Sequence, residues 1–292
     1  MQTVNAREEN SAVAWPSLCP ALREYDEDSD DSVSFFRDGV ASHSVIFMAR
    51  KRRILQIPGS HQAIQITDDN SRTLIDPVSG VAFHSASGAL AETQHVYLRN
   101  SGVKDRLSNG ESSAVLEVGL GTGLGMLLTV DEAIGGDAKL NYHALESDLL
   151  PVSVLRALEL DSGMRSVAIH QSYLNWYENV LCEASPGSYC WEYSEHVTVT
   201  IHHCDARDFQ FSNTGFFDAI YFDPFAPSVN QDLWTVEFLG RMRTLLRSGG
   251  QLVTYCVNRH VKDTLTATGF EISCVPGPLG GKREVMLATR MD

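Results

Sequence analysis

Two segments constrain this chain more than anything else in it. The first, VLEVGLGTGLG at 115–125, is an apolar run that breaks into alternating glycines. The second, about a hundred residues later, is FDAIYFDPFAP at 217–227, an apolar run that ends on a carboxylate and two prolines. Each reads as a buried strand leading into a turn that carries chemistry. In an open parallel α/β sheet both turns emerge at the carboxyl edge, where ligands bind. The rest of the chain agrees with such a sheet. Strands are expected at 115–118, 140–145, 197–202, 218–222 and 251–256, alternating with helices at 122–130, 151–160, 233–246 and 260–268. Strands at 271–275 and 285–289 follow one another around Pro276-Gly277-Pro278-Leu279-Gly280-Gly281 with no helix between them. The expected architecture is therefore α/β, doubly wound, with a mostly parallel sheet and one antiparallel strand. The Ser248-Gly249-Gly250 segment reads as the turn that closes the 233–246 helix.

Glycines at 119, 121, 123 and 125 let the backbone take positive φ and approach a ligand closely. The helix that follows points its unpaired N–H groups at the same place. The spacing is not that of a dinucleotide site. G-x-G-x-x-G from Gly119 needs glycine at 124, which is Leu124, and from Gly121 it needs glycine at 126, which is Met126. Glu146 closes the second strand, where an acid can accept both hydroxyls of a ribose. Asp148 competes for that role, and an exposed cap acid is the plainer reading of either. Asp205 follows the third strand, where it is a ligand contact or an ordinary turn aspartate.

Asp223 ends a run apolar enough to be a central strand, and Pro224 and Pro227 stiffen the loop after it. A carboxylate held rigidly beside a cofactor can orient an amine or accept its proton. Phe225 is placed to pack on a cofactor or a flat base. Lys282, Arg283 and Glu284 lie before the last strand, as an exposed hairpin loop or as substrate contacts. Arg241, Arg243, Arg247, Arg259 and Lys262 could extend a basic rim, and helical surface charge explains them equally well.

A formal net charge of −14 argues against broad, non-specific nucleic-acid binding. Part of the excess is local, since residues 1–47 carry 9 acids and 3 Lys/Arg. Six of those acids fall in 24–31, a run that reads as disordered and solvated. Met48, followed by Ala49-Arg50-Lys51-Arg52-Arg53, reads as a natural start of translation. Residues 1–60 are accordingly expected to be disordered or an extension foreign to the native protein. After them, 64–67 and 72–75 read as a hairpin and 88–99 as a helix. No run reaches the roughly 20 apolar residues that span a bilayer, and the N-terminus lacks a basic-then-apolar leader. The expectation is a cytoplasmic protein with no membrane association. The six cysteines form no C-x-x-C pair, so no metal is expected.

The E-x-G-x-G-x-G form of the glycine loop resembles the first motif of class I S-adenosylmethionine-dependent methyltransferases. A closer resemblance rests on four segments in register over about residues 64–290. Residues 223–234, DPFAPSVNQDLW, are similar to the D-x-F-[SA]-P-x-x-N-P-x-[LM]-W signature of the methyltransferases that form 5-methylaminomethyl-2-thiouridine in tRNA. Residues 90–98, LAETQHVYL, resemble that family's L-x-E-[ST]-x-[HY]-V-[FY]-L stretch. Residues 119–124 resemble G-x-G-T-G-L, and 280–286, GGKREVM, resemble its closing G-x-K-R-E-M segment. Two positions depart from the pattern: Gln231 stands for the usual proline and Gly125 for a common asparagine.

The resemblance implies a Rossmann-like methyltransferase domain over 61–292, led in by the hairpin and helix. It implies S-adenosylmethionine as cofactor, held by Glu117, Gly119, Gly121, Gly123, Glu146 and Asp205. It implies a tRNA substrate whose wobble uridine carries a 5-aminomethyl group, with Asp223 as catalytic residue and Phe225, Lys282, Arg283 and Glu284 near the substrate. A flavin-dependent oxidase domain follows this module in some relatives. This chain ends at Asp292, which implies a stand-alone methyltransferase supplied by an upstream enzyme. Methylation of another amine, or a non-catalytic RNA-binding role, are the alternatives.

Overall fold

The structure is a computed structural model that describes residues 53–75, 80–281 and 283–292. The acidic run, Met48 and Lys282 lie outside the described residues. The described chain opens with three short antiparallel strands: β1 (Arg53–Gln56), β2 (Ala63–Ile66) and β3 (Arg72–Ile75). The hairpin read from 64–67 and 72–75 is thus present. Its third strand, β1, falls inside the 1–60 interval that the sequence analysis sets apart. All four residues of β1 are exposed, and Arg53-Ile54-Leu55-Gln56 carries no alternation to mark it.

Helix α1 (Ala89–Thr93) runs on as a wider π-helical stretch, Gln94–Arg99, which buries Val96, Tyr97 and Leu98. Helix α2 (Val103–Ser108) follows, then the first core strand, β4 (Ser113–Val118). The chain continues through α3 (Leu124–Gly135), β5 (Leu140–Glu146), α4 (Val152–Leu158), α5 (Val167–Trp176), β6 (Gly187–Glu192), β7 (Val197–His203) and β8 (Phe217–Phe222). It closes with α6 (Val236–Leu245), β9 (Leu246–Thr254), α7 (Arg259–Ala267), β10 (Glu271–Pro276) and β11 (Glu284–Thr289). Side-chain caps start the two late helices: Thr235 accepts from the Phe238 N–H and Asn258 from the Val261 N–H.

The eight-stranded sheet has the order β10-β11-β9-β8-β4-β5-β7-β6. Strands β9, β8, β4, β5 and β7 are mutually parallel. The expected mostly parallel sheet is present, with one correction. Two strands run against it rather than one: β11, antiparallel to β9 and β10, and β6, antiparallel to β7. Strand β6 escaped the sequence because its exposed residues leave only Trp191 buried. The Ser248-Gly249-Gly250 segment is not a turn before the strand but lies within β9. There Phe217 pairs with Leu246 and Ala219 with Gln251, which makes a bulge. Gly249 holds φ +75° in it.

Both faces of the sheet are covered. On β4, Val115 faces a core with Met126, Leu127, Tyr142 and Tyr173, while Leu116 and Val118 face another with Phe222, Phe238 and Met242. Strand β4 is central, and its neighbours β5 and β8 connect onward in opposite directions. That reversal opens a crevice at their carboxyl ends.

Helix α3 ends where Gly136 meets α2, and a Cβ there would stand 1.9 Å from the Leu107 carbonyl oxygen. Backbone cannot swing aside as a side chain can. Gly136→Ala is expected to destabilise the protein by about 1–3 kcal/mol, read as a lower urea midpoint at unchanged slope.

Candidate active site

The crevice is built by two strand ends that touch. Beyond β4 the chain turns through Gly119, Gly121 and Gly123, with φ of +89°, +51° and +79°. These conformations suit residues without a Cβ. The Gly119 and Leu120 N–H groups both donate to the Leu145 carbonyl, at 3.0 and 3.2 Å. On the other side the Asp223 N–H donates to the Val118 carbonyl at 3.0 Å. A Cβ on Gly119 would lie 2.9 Å from the Asp223 carbonyl oxygen, so the turn closes because position 119 is bare. Gly125 is inside α3, where a Cβ would come 2.6 Å from Glu117 Oε1 and 3.8 Å from Thr93 Cγ2.

Glu117 is buried, and burial pushes its carboxyl well above the usual carboxylate range. Its Oε2, the Thr93 Oγ1 and the Tyr142 hydroxyl are buried without a well-formed hydrogen bond among the described residues, although the Tyr142 hydroxyl lies near enough to the Glu117 carboxyl to favour its ionised form. Orphaned buried acceptors are costly and call for a donor. A carboxylate of this kind under a glycine turn suits a cationic ligand group. Glu146, at the end of β5, accepts from the Gly121 N–H at 2.9 Å and from the Asp148 N–H at 2.9 Å. Burial raises its carboxyl too, against the lowering effect of those backbone donors. Asp148 is exposed, so Glu146 is the acid turned toward the glycine loop.

Asp205 lies one residue beyond Cys204, whose N–H donates to the Glu146 carbonyl at 2.9 Å. Its carboxylate is engaged with Arg207, which also reaches Asp232 at 2.7 Å. Hydrogen bonds from Arg207 hold Asp205 below the usual range. A ligand amine at Asp205 would therefore share that carboxylate with a guanidinium.

Asp223 is partly buried at the mouth of β8. The Tyr97 hydroxyl donates to its Oδ1 at 2.5 Å. Burial first, then the Asp223 charge, push the Tyr97 phenol well above its usual range, so it stays protonated as a donor. The loop after Asp223 is fixed from both sides. Tyr255 donates its hydroxyl to the Pro224 carbonyl at 3.1 Å, and the Trp234 indole N–H donates to the Phe225 carbonyl at 3.0 Å. The Phe225 ring meets Phe83 edge-on at 5.5 Å between centroids. Phe83 also flanks the glycine loop, 3.4 Å from where a Cβ of Gly121 would be.

The closing hairpin joins the same site. Ser87 donates its hydroxyl to the Gly280 carbonyl at 2.5 Å, and His95 Nε2 donates to the Pro276 carbonyl at 2.8 Å. Arg283 and Glu284 are exposed at the base of this loop. The structure thus brings Glu117, Gly119, Gly121, Gly123, Glu146, Asp223 and Phe225 around one crevice, with Asp205 at its margin. Two residues of the suggested basic rim are engaged elsewhere. Arg247 pairs with Asp218 at 2.7 Å at the amino edge of the sheet, and Arg243 binds Asp292 and the Gly269 carbonyl. Tyr97, Tyr255 and Phe83 carry the site without having been singled out. Tyr97 stood in plain view in the 90–98 stretch, but no local pattern names a partner at position 223.

Comparison with known proteins places this geometry. A family of S-adenosyl-L-methionine-dependent methyltransferases matches residues 168–291. The described fold is similar to the crystal structure of MNMC2 from Aquifex aeolicus, with a TM-score of 0.62 and 23% identity, covering 80% of this chain and 71% of that one. The fold is thus that of an S-adenosylmethionine-dependent methyltransferase. By sequence, the chain is homologous to the tRNA 5-methylaminomethyl-2-thiouridine biosynthesis bifunctional protein MnmC. The Leptospira borgpetersenii protein is 28% identical over 209 residues, 70% of this chain and 31% of the relative. The Delftia acidovorans protein is 29% identical over 211 residues, 70% of this chain and 32% of the relative. The chain spans about a third of the length of these relatives, and the resemblance drawn from the four segments is borne out.

Gly119→Ala combines a positive φ with the 2.9 Å approach to Asp223. It is expected to cost about 1–3 kcal/mol of stability and to weaken S-adenosylmethionine binding about tenfold or more. Thermal melting and titration calorimetry check the two effects separately.

Proposed function

We propose that this chain is an S-adenosylmethionine-dependent N-methyltransferase that converts the 5-aminomethyl group of the tRNA wobble uridine to 5-methylaminomethyl. One observation carries the reading: a carboxylate, Asp223, is fixed against the turn of the glycine loop, with its backbone in contact at Gly119. Homology to the MnmC proteins supports tRNA as the substrate.

The residues present fit the cofactor. Glu117 offers a buried carboxyl oxygen to an ammonium group, the glycine turn offers bare backbone, and Glu146 lies where ribose hydroxyls would be held. Asp205 would meet the base once its share with Arg207 is adjusted. When bound, S-adenosylmethionine supplies an electrophilic methyl group on a sulfonium.

The chain's own task is to present a neutral nitrogen in line. An alkylamine is protonated at neutral pH and has no free lone pair. Asp223 accepts a hydrogen bond from the ammonium and receives its proton as the amine becomes nucleophilic. Phe225, braced by Phe83 and Trp234, gives the uracil ring a flat apolar neighbour. Arg283 and Glu284 border the entrance from the closing hairpin, and Lys282 is adjacent in sequence. Much of the acceleration comes from orientation, since correct placement removes most of the entropic barrier. No helix among the described residues is long and apolar enough to cross a membrane, and no cluster of metal ligands occurs among them. The proposed setting is the cytoplasm, with the aminomethyl group installed on the tRNA beforehand.

The test is single-turnover transfer from methyl-labelled S-adenosylmethionine to tRNA with and without 5-aminomethyl-uridine at the wobble position. Label is expected only in the first pool. Label in neither pool, with cofactor bound, would refute the tRNA assignment. Asp223→Asn is expected to lower the rate about 100-fold or more while leaving cofactor affinity within a few-fold.

A pH effect follows from Glu117. Its carboxyl is raised by burial, so in the free protein it holds a proton to higher pH than an exposed glutamate does. Binding an ammonium group favours the ionised form, so affinity for S-adenosylmethionine should strengthen as pH rises through the range in which Glu117 loses its proton. Calorimetry in buffers of differing ionisation enthalpy should show proton release. Glu117→Gln should weaken binding and flatten that dependence.

A further inference from the structure

The proposed acceptor carboxylate is not a lone group at a strand end. Tyr97 reaches it from the π-helical stretch of the lead-in, across a sequence separation of 126 residues, with its hydroxyl 2.5 Å from Asp223 Oδ1. The Tyr97 ring is 3% exposed and packs against Tyr221 at 5.5 Å between centroids. The hydroxyl is therefore delivered by a side chain with no freedom to leave. Asp223 shares its surroundings with Glu117, Tyr142 and Tyr255, and Glu92 lies behind Tyr97 and Tyr255. A hydrogen bond donated to a carboxylate favours its ionised form.

We propose that Tyr97 is the positioning residue of this site: its hydroxyl fixes one oxygen of Asp223 and keeps the carboxylate ionised, so that it can take the proton of the acceptor amine. The inference rests on the role given to Asp223 in the proposed function. A π-helical stretch fits the task, because widening the helix shifts the side chains that follow out of the ordinary register, and such stretches are frequent at functional sites. Val96, Tyr97 and Leu98 are buried in succession there, which an ordinary amphipathic helix would not require.

The test variant is Tyr97→Phe, which keeps the ring and removes the hydroxyl. Single-turnover methyl transfer would be followed against pH, with cofactor affinity and melting temperature measured on the same samples. Loss of a hydrogen bond to a charged group should move the acid limb of the rate profile up by about one pH unit, with cofactor affinity and KM for tRNA nearly unchanged. Replacing Tyr97 with 3-fluorotyrosine makes the hydroxyl a stronger donor and should move the limb the other way. A role confined to packing would leave the profile in place in both variants, and that result overturns the inference. If the wild-type protein methylates no tRNA, the proposed function fails by itself. The inference is then decided by carbon-13 carboxyl NMR titration of Asp223, assigned with Asp223→Asn. An upward shift of its midpoint in Tyr97→Phe supports the inference, and an unmoved midpoint refutes it.

Discussion

The site depends on one contact between two pieces of backbone. At Gly119 the chain leaving β4 passes so close to the Asp223 carbonyl that a methyl group would not fit. That approach brings the end of β4 to the end of β8, and every other functional feature is arranged about the join. The glycine turn lies on one side of it, and the loop with Pro224 and Phe225 lies on the other. Glu117, one pleat below, stays under both. The sheet order makes the contact reachable, since β8 and β5 flank β4.

Much of this was legible beforehand, for identifiable reasons. The parallel strands are buried on both faces and stand out as apolar runs, as with Val115, Leu116, Ile220 and Phe222. The glycines announce their positive φ, and Pro224 and Pro227 announce a stiff loop. What stayed hidden was held together through space. Tyr97 belongs to the Asp223 site through a hydrogen bond that spans much of the chain, and the same is true of Phe83 against Phe225. Strand β6 is exposed along most of its length and borrows its structure from β7, so its own residues carry little signal. The Gly249-Gly250 pair misled because glycine marks a bulge as readily as a turn.

Charge tells a second story. The chain is strongly acidic, and its crevice gathers carboxylates and phenols: Glu92, Glu117, Glu146 and Asp223 with Tyr97, Tyr142 and Tyr255. Burial raises Glu117 and Glu146, while Arg207 clamps Asp205 and draws Asp232 toward the end of β7. Such a crevice welcomes cationic groups, and both the cofactor's ammonium and the proposed acceptor amine are of that kind. Under the proposed function, affinity for a polyanionic RNA must come from surfaces outside this acidic pocket.

The hydrogen bonds from Ser87 to Gly280 and from His95 to Pro276 have a consequence for how the molecule is made. They join the lead-in to the β10–β11 hairpin, so the mouth of the crevice closes only once that hairpin has been made. During synthesis the glycine turn would emerge long before β8, and β8 before the hairpin that completes the mouth. Contacts so distant in sequence are formed slowly, because the loop entropy must be lost before the contact forms. A nascent chain that has exposed the central strands but not yet this hairpin would thus carry an unfinished entrance.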